Sequence, residues 1–133
     1  MSHQVIIQLY HLLANVDGRI DEREVLAGKQ MIQSEGINEM DFEIKLESLK
    51  KRKASVVYSE CVEGLKRLSP AKQARYVAWL CVIANADGFM DKTEWQFIYN
   101  LYYKELNLNL DEIMKTQKEL MGLKKKVEII AFA

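Results

Sequence analysis

Neither charge sign prevails in this chain, and it has no long apolar run. Lys and Arg number 19, Asp and Glu also 19, and the formal net charge is zero. No global positive field is available to attract a phosphate backbone or an anionic membrane, so nucleic acid is not an expected partner. No segment approaches the roughly 20 apolar residues that cross a bilayer, so membrane insertion is not expected either. The first apolar stretch, Val5 to Ala14, is broken by Gln8, Tyr10 and His11, and neither a basic leader nor a small-residue cleavage site accompanies it. The two cysteines, Cys61 and Cys81, have no metal-ligand spacing, and Cys81 lies in an apolar run where a thiol acts as a small hydrophobe. Together these features make the reducing cytoplasm the expected compartment.

Chemistry-bearing residues are equally sparse. His3 and His11 are the only histidines, and neither has a partner at ligand spacing, so no zinc site is expected. There is no glycine-rich phosphate loop, no Gly-x-Ser-x-Gly elbow and no cysteine-histidine arrangement that nominates a nucleophile. No catalytic residue is assigned, and enzymatic activity is not expected.

What the chain does contain is helical. Its 49% hydrophobic and 29% charged residues suit a globular fold, and the length suits one domain spanning 1–133. Proline occurs once, and the six glycines fall mostly where helical patterns break. Val5, Ile6, Leu9, Leu13 and Val16 predict a first helix over Ser2–Val16, ended by Asp17 and Gly18. A second starts at Asp21, turns Val25, Met31 and Ile32 inward, and closes at Gly36. A third runs from Asn38 into Lys50, Lys51, Arg52 and Lys53. Val57, Cys61, Leu65 and Leu68 mark a fourth. Ser69 and Pro70 open a fifth as cap and first helical residue. From Tyr76 to Ala86 that fifth helix carries no charge, and it should form the buried centre. A sixth runs from Asp91 to about Leu106 with Trp95, Ile98, Leu101 and Tyr102 on one face. A seventh spans Leu110–Met121, and Val127–Ala133 adds a last turn. The fold class expected is all-α, a bundle of about seven helices.

Offset by seventy residues, the chain repeats itself. Ala14-Asn15-Val16-Asp17-Gly18-Arg19-Ile20-Asp21-Glu22-Arg23-Glu24 aligns with Ala84-Asn85-Ala86-Asp87-Gly88-Phe89-Met90-Asp91-Lys92-Thr93-Glu94. Both read A-N-x-D-G-x-[IM]-D-x-x-E between an apolar helix and an amphipathic one, in units covering roughly 2–36 and 71–108. Glu35-Gly36-Ile37 and Glu105-Leu106-Asn107-Leu108 extend the parallel with a slip of one residue.

Two readings of the motif stand open. In the structural one, Gly18 and Gly88 supply a positive φ, Asp21 and Asp91 cap the next helix with Glu24 and Glu94 at capping-box spacing, and Ile20 and Met90 staple the turn. In the other, the motif is half of a calcium loop: Asp17, Gly18, Ile20 and Glu24 fit positions five, six, eight and twelve, as do Asp87, Gly88, Met90 and Glu94. Position one then falls on Leu13 and Ile83, which cannot coordinate a hard cation, so neither copy is a complete EF-hand. Two half-loops brought together by pseudo-twofold packing would instead share one site.

An apolar helix ending in Ala-x-x-Asp-Gly, a short turn and a helix with an early Glu, present twice in an all-helical chain of this length, resembles the TerB family. The resemblance covers nearly the whole chain and is strongest over Cys81–Leu108. It implies a bundle of about seven helices of the kind found in bacterial tellurite-resistance and chemical-stress systems, related to the amino-terminal module of a membrane-anchored DnaJ-type co-chaperone. It also implies an acidic site for a divalent metal and a life in complexes with other proteins. Carried over by position, the metal residues are Asp17, Asp21, Glu24, Asp87, Asp91 and Glu94. The chain has no J-domain signature.

The sixth helix is crowded with Trp95, Phe97, Tyr99, Tyr102 and Tyr103, which cannot all face one core. With Trp95 and Tyr102 inward, Phe97 and Tyr103 are the candidate partner-binding pair. Lys50–Lys53 and Lys124–Lys126 read as solvated helix ends.

Overall fold

The computed structural model describes residues 3–16, 21–86, 88 and 90–132, with side chains as far as Gly122. Among them run seven α-helices: α1 (His3–Val16), α2 (Glu22–Ser34), α3 (Glu39–Lys50), α4 (Ala54–Lys66), α5 (Pro70–Ala84), α6 (Lys92–Tyr99) and α7 (Leu110–Phe132). A π-helical segment, Asn100–Glu105, continues α6, and no strand occurs among the described residues.

The helix starts follow their capping residues. Asn38 Oδ1 accepts the Asp41 N–H at 3.0 Å, and Ser69 Oγ accepts the Lys72 N–H at 3.2 Å with Pro70 opening α5. Each such cap contributes about 1 kcal/mol by satisfying a donor that the helix leaves unpaired. At the end of α2, Gly36 takes φ +70°, which lets the Ile37 N–H return to the Ile32 carbonyl at 2.8 Å and the Gly36 N–H to Gln33 at 3.2 Å. That pair of bonds is the Schellman closure.

Two helices form the centre. As its charge-free run predicts, α5 is buried without interruption from Tyr76 to Ala84. α1 is equally enclosed: every residue from Val5 to Leu13 is buried, including Gln8 and His11. Around them α3 and α4 lie against α1, α7 lies along α5, and the helices that follow the two acidic turns cross over, α2 onto α5 and α6 onto α1. Full burial of an Ile or Leu side chain is worth about 1.5–3 kcal/mol, so Ile6, Leu9, Leu80 and Ile83 anchor the packing. The helices approach closely where side chains are absent. A Cβ on Gly64 of α4 would sit 2.7 Å from Val5 Cγ2, and one on Gly28 of α2 would sit 2.6 Å from Tyr10 Cε2.

Several expectations need correction. Val25, expected inside, is 36% exposed, and Ala27 and Gly28 take the inward positions beside Met31 and Ile32. Trp95, also expected inside, is 41% exposed, while Phe97 packs against the core with its ring 6.3 Å from that of Tyr58. The buried stripe of this helix is Glu94, Ile98, Leu101 and Tyr102, so a glutamate holds the inward place given to tryptophan. α7 does not stop at Met121 with a separate final turn but continues to Phe132.

The one-residue slip has a structural counterpart. Fifteen positions separate the cap Asp21 from the left-handed Gly36; sixteen separate Asp91 from Asn107, which takes φ +52°. The extra residue is absorbed where the Leu106 N–H reaches back five residues to Leu101 at 3.1 Å, a π-type bond that widens the last turn of the helix.

Candidate functional site

Both acidic turns build the hydrogen bonds that a capping box requires. The Asp21 N–H donates to Glu24 Oε1 at 3.4 Å while Asp21 Oδ1 accepts the Arg23 N–H at 2.7 Å. In the second turn the Asp91 N–H donates to Glu94 Oε1 at 3.3 Å, and Asp91 Oδ1 accepts the Glu94 N–H at 2.8 Å. Just upstream, the motif asparagines also match: Asn15 Nδ2 donates to the His11 carbonyl at 2.9 Å and Asn85 Nδ2 to the Cys81 carbonyl at 3.0 Å. Each amide thus adds a second donor to a carbonyl in the last turn of its helix. Gly88 takes φ +87°, the left-handed backbone expected of it.

The capping role accounts for one oxygen of each glutamate but not for where the side chains meet. Glu24 and Glu94 come close enough for the Glu24 carboxyl group to raise the pKa of Glu94. Glu94 is 4% exposed, and its pKa is pushed up to about 8. Burial is the largest cause, the charges of Glu24 and Asp91 add to it, and the Asp91 backbone N–H opposes it. The Glu24 charge also reaches Tyr10, whose hydroxyl is raised first by burial and then by Glu24 and Glu43. Tyr10, Leu13, Ala14 and Ile83 close the inner side of Glu24 around a void of about 10 Å³, room for at most one water.

Of the six residues expected at a metal site, the structure brings Glu24 and Glu94 together and sets Asp21 and Asp91 at the caps beside them. Asp17 and Asp87 lie outside the described residues, as does Gly18. Among the described residues, no group of three or more His, Cys, Asp or Glu is arranged to hold a metal ion. Leu13 and Ile83, which an EF-hand would need as ligands, are buried apolar residues. The buried Cys61 and Cys81 thiols are pushed up to about 12 by burial and are not nucleophiles at neutral pH.

With this geometry in view, a comparison with protein families matches residues 3–117 to the family described as tellurite resistance protein TerB. The chain belongs to the TerB family. No curated protein and no solved structure matches it. The TerB match takes in both acidic turns, α1 to α6, the π segment and the first third of α7. It stops before Lys124–Lys126, so that basic triplet lies outside the matched region.

The aromatic cluster on α6 and the π segment forms the other exposed feature. Tyr99 and Tyr103 stack with ring centroids 5.2 Å apart and planes at 17°, and Trp95 stands 6.4 Å from Tyr99 and 6.1 Å from Tyr102. Tyr103 is 55% exposed. Of the expected partner-binding pair, Tyr103 is thus exposed and Phe97 half-buried. No helix among the described residues is long and apolar enough to cross a membrane.

Proposed function

We propose that this TerB-family chain is a non-enzymatic binding module of the cytoplasm whose paired acidic turns take up a divalent cation, and that it serves protein partners in a stress response. The observation that carries this reading is the meeting of Glu24 and Glu94, one from each turn. Two carboxylates in contact repel by about 4 kcal/mol near a protein surface, and the proton that Glu94 keeps to about pH 8 relieves that repulsion. A divalent cation can replace that proton and join the two turns. Glu24 and Glu94 would be its first ligands, with Asp21 and Asp91 beside them and Asp17 and Asp87 preceding each turn in sequence. An all-carboxylate donor set suits hard cations such as calcium, magnesium or manganese. Calorimetric titration with each ion, repeated in buffers of different ionisation enthalpy, tests the reading. Proton release on binding is expected; absence of binding by any of these ions would end the proposal.

A second reading keeps the turns as helix caps and makes the domain a protein-interaction adaptor. Both complete capping boxes and the exposed Trp95 and Tyr103 favour it. Tyr103 remains its key residue, and Trp95 takes the place first given to Phe97. Under this reading, Trp95→Ala with Tyr103→Ala abolishes partner capture while the fold persists, and cations are without effect.

A further inference from the structure

The far end of α1 from the acidic turns carries a feature that neither reading uses. Gln8 is 3% exposed, and it lies where the surface is indented on both sides of α1. Gln8 opens onto two adjoining grooves, one on each side of α1, that share Gln4 and Gln8 as lining residues. The groove toward α3, about 230 Å³, is lined by Lys45, Ser48 and Arg52 over Ile7 and Leu49, with no carboxylate. The groove toward α4, about 460 Å³, presents Glu60 and Glu63 with Arg67 over Val5 and Leu68. Taken together, their size is that of sites for small ligands and short segments. Arg52 and Glu60 face each other across the junction in a two-pronged ion pair at 2.8 and 2.6 Å.

We infer that the twin grooves bind a linear peptide segment of a partner protein, bearing a carboxylate at one end and an ammonium or guanidinium at the other. Its backbone meets the carboxamides of Gln4 and Gln8. A glutamine side chain offers one acceptor and paired donors, the complement of a peptide unit's N–H and C=O. The charge layout fits a dipolar segment: cations alone on the α3 side receive the carboxylate, and Glu60 and Glu63 on the α4 side receive the cation. The Arg52–Glu60 pair is half-exposed and can exchange each other for the ligand's two charges without leaving either uncompensated.

The test uses the whole chain, isotope-labelled, with the glutamine side-chain amide signals followed by NMR. The probes are acetyl-Glu-Ala-Leu-Ala-Lys-amide, the same peptide in reverse order, a control with both charged residues replaced by glutamine, and inorganic phosphate. At least one charged peptide should shift the Gln4 and Gln8 signals saturably. Its affinity should fall about tenfold in Gln8→Leu and in the double variant Arg52→Gln, Glu60→Gln, and Gln8→Leu should melt no lower than wild type. The proposal is overturned by equal shifts from the neutral control or from phosphate, by no shifts from either charged peptide, or by undiminished affinity in the variants. A lower melting temperature for Gln8→Leu also overturns it, because the amide would then be serving the core.

Discussion

Glu94 on α6 meets Glu24 on α2, so a carboxyl group seventy positions away in the chain helps to raise the pKa of Glu94. The contact follows from the crossover of the two helices that leave the acidic turns, α2 onto α5 and α6 onto α1. It turns a local device, the capping box, into a link between distant parts of the chain.

The raised pKa of Glu94 makes stability depend on pH. Glu94 has a folded-state pKa of about 8, raised from 4.5 chiefly by burial, so the folded chain holds a proton that the unfolded chain releases. Its contribution is complete below about pH 4.5 and is lost as pH rises through about 8. The melting temperature should therefore fall between about pH 5 and 9, and Glu94→Gln, which keeps the neutral shape, should flatten that fall and melt above wild type at pH 9. A decline of the same slope in the variant would show that another group titrates.

The two caps predict matched losses. Asp21→Ala and Asp91→Ala each remove the acceptor at the start of a helix and should cost about 1 kcal/mol, up to about 2, in denaturant unfolding. If either substitution were neutral, the corresponding box would not be formed in solution.

Gly28 makes a steric prediction. Alanine normally gains about 1 kcal/mol over glycine inside a helix, but here its Cβ would press on the buried Tyr10 ring, which is wedged edge-on against Phe42 with centroids 5.3 Å apart. Gly28→Ala should thus destabilise by about 1–3 kcal/mol, whereas the packing described here fails if chemical unfolding shows a gain.

Much of this architecture is legible in the sequence, because helix ends and buried runs are local. Ser69-Pro70 opens α5, Asp-x-x-Glu opens α2 and α6, and the charge-free run of α5 forms the centre. Trp95 and Glu94 were the misleading pair. Apolar periodicity assigns the inward place to tryptophan, whereas the repeat that aligns Glu94 with Glu24 points to their meeting but not to the burial of Glu94. The burial of α1 is hidden for a similar reason: Gln8 and His11 look like surface positions until α3 and α4 cover them. The slip between the two units was visible as an alignment gap, but its form, a π-type turn, depends on backbone bonds that sequence spacing does not record.

The buried thiols should be inert. Cys61 and Cys81 are both buried, with pKa values pushed up to about 12, so a disulfide reagent at neutral pH should label neither in the folded chain and both after denaturation. Rapid labelling of the native protein would mean that α4 or α5 opens far more readily than its packing allows.

Thermal melting near pH 8 with calcium, magnesium or manganese, on chelator-treated wild type and on Glu24→Gln with Glu94→Gln, tests the paired-turn site most directly. An ion at about 100 times its dissociation constant should stabilise the wild type by about 2.7 kcal/mol and leave the double variant unmoved. Equal shifts in both proteins, or none in either, would contradict a cation site built on Glu24 and Glu94.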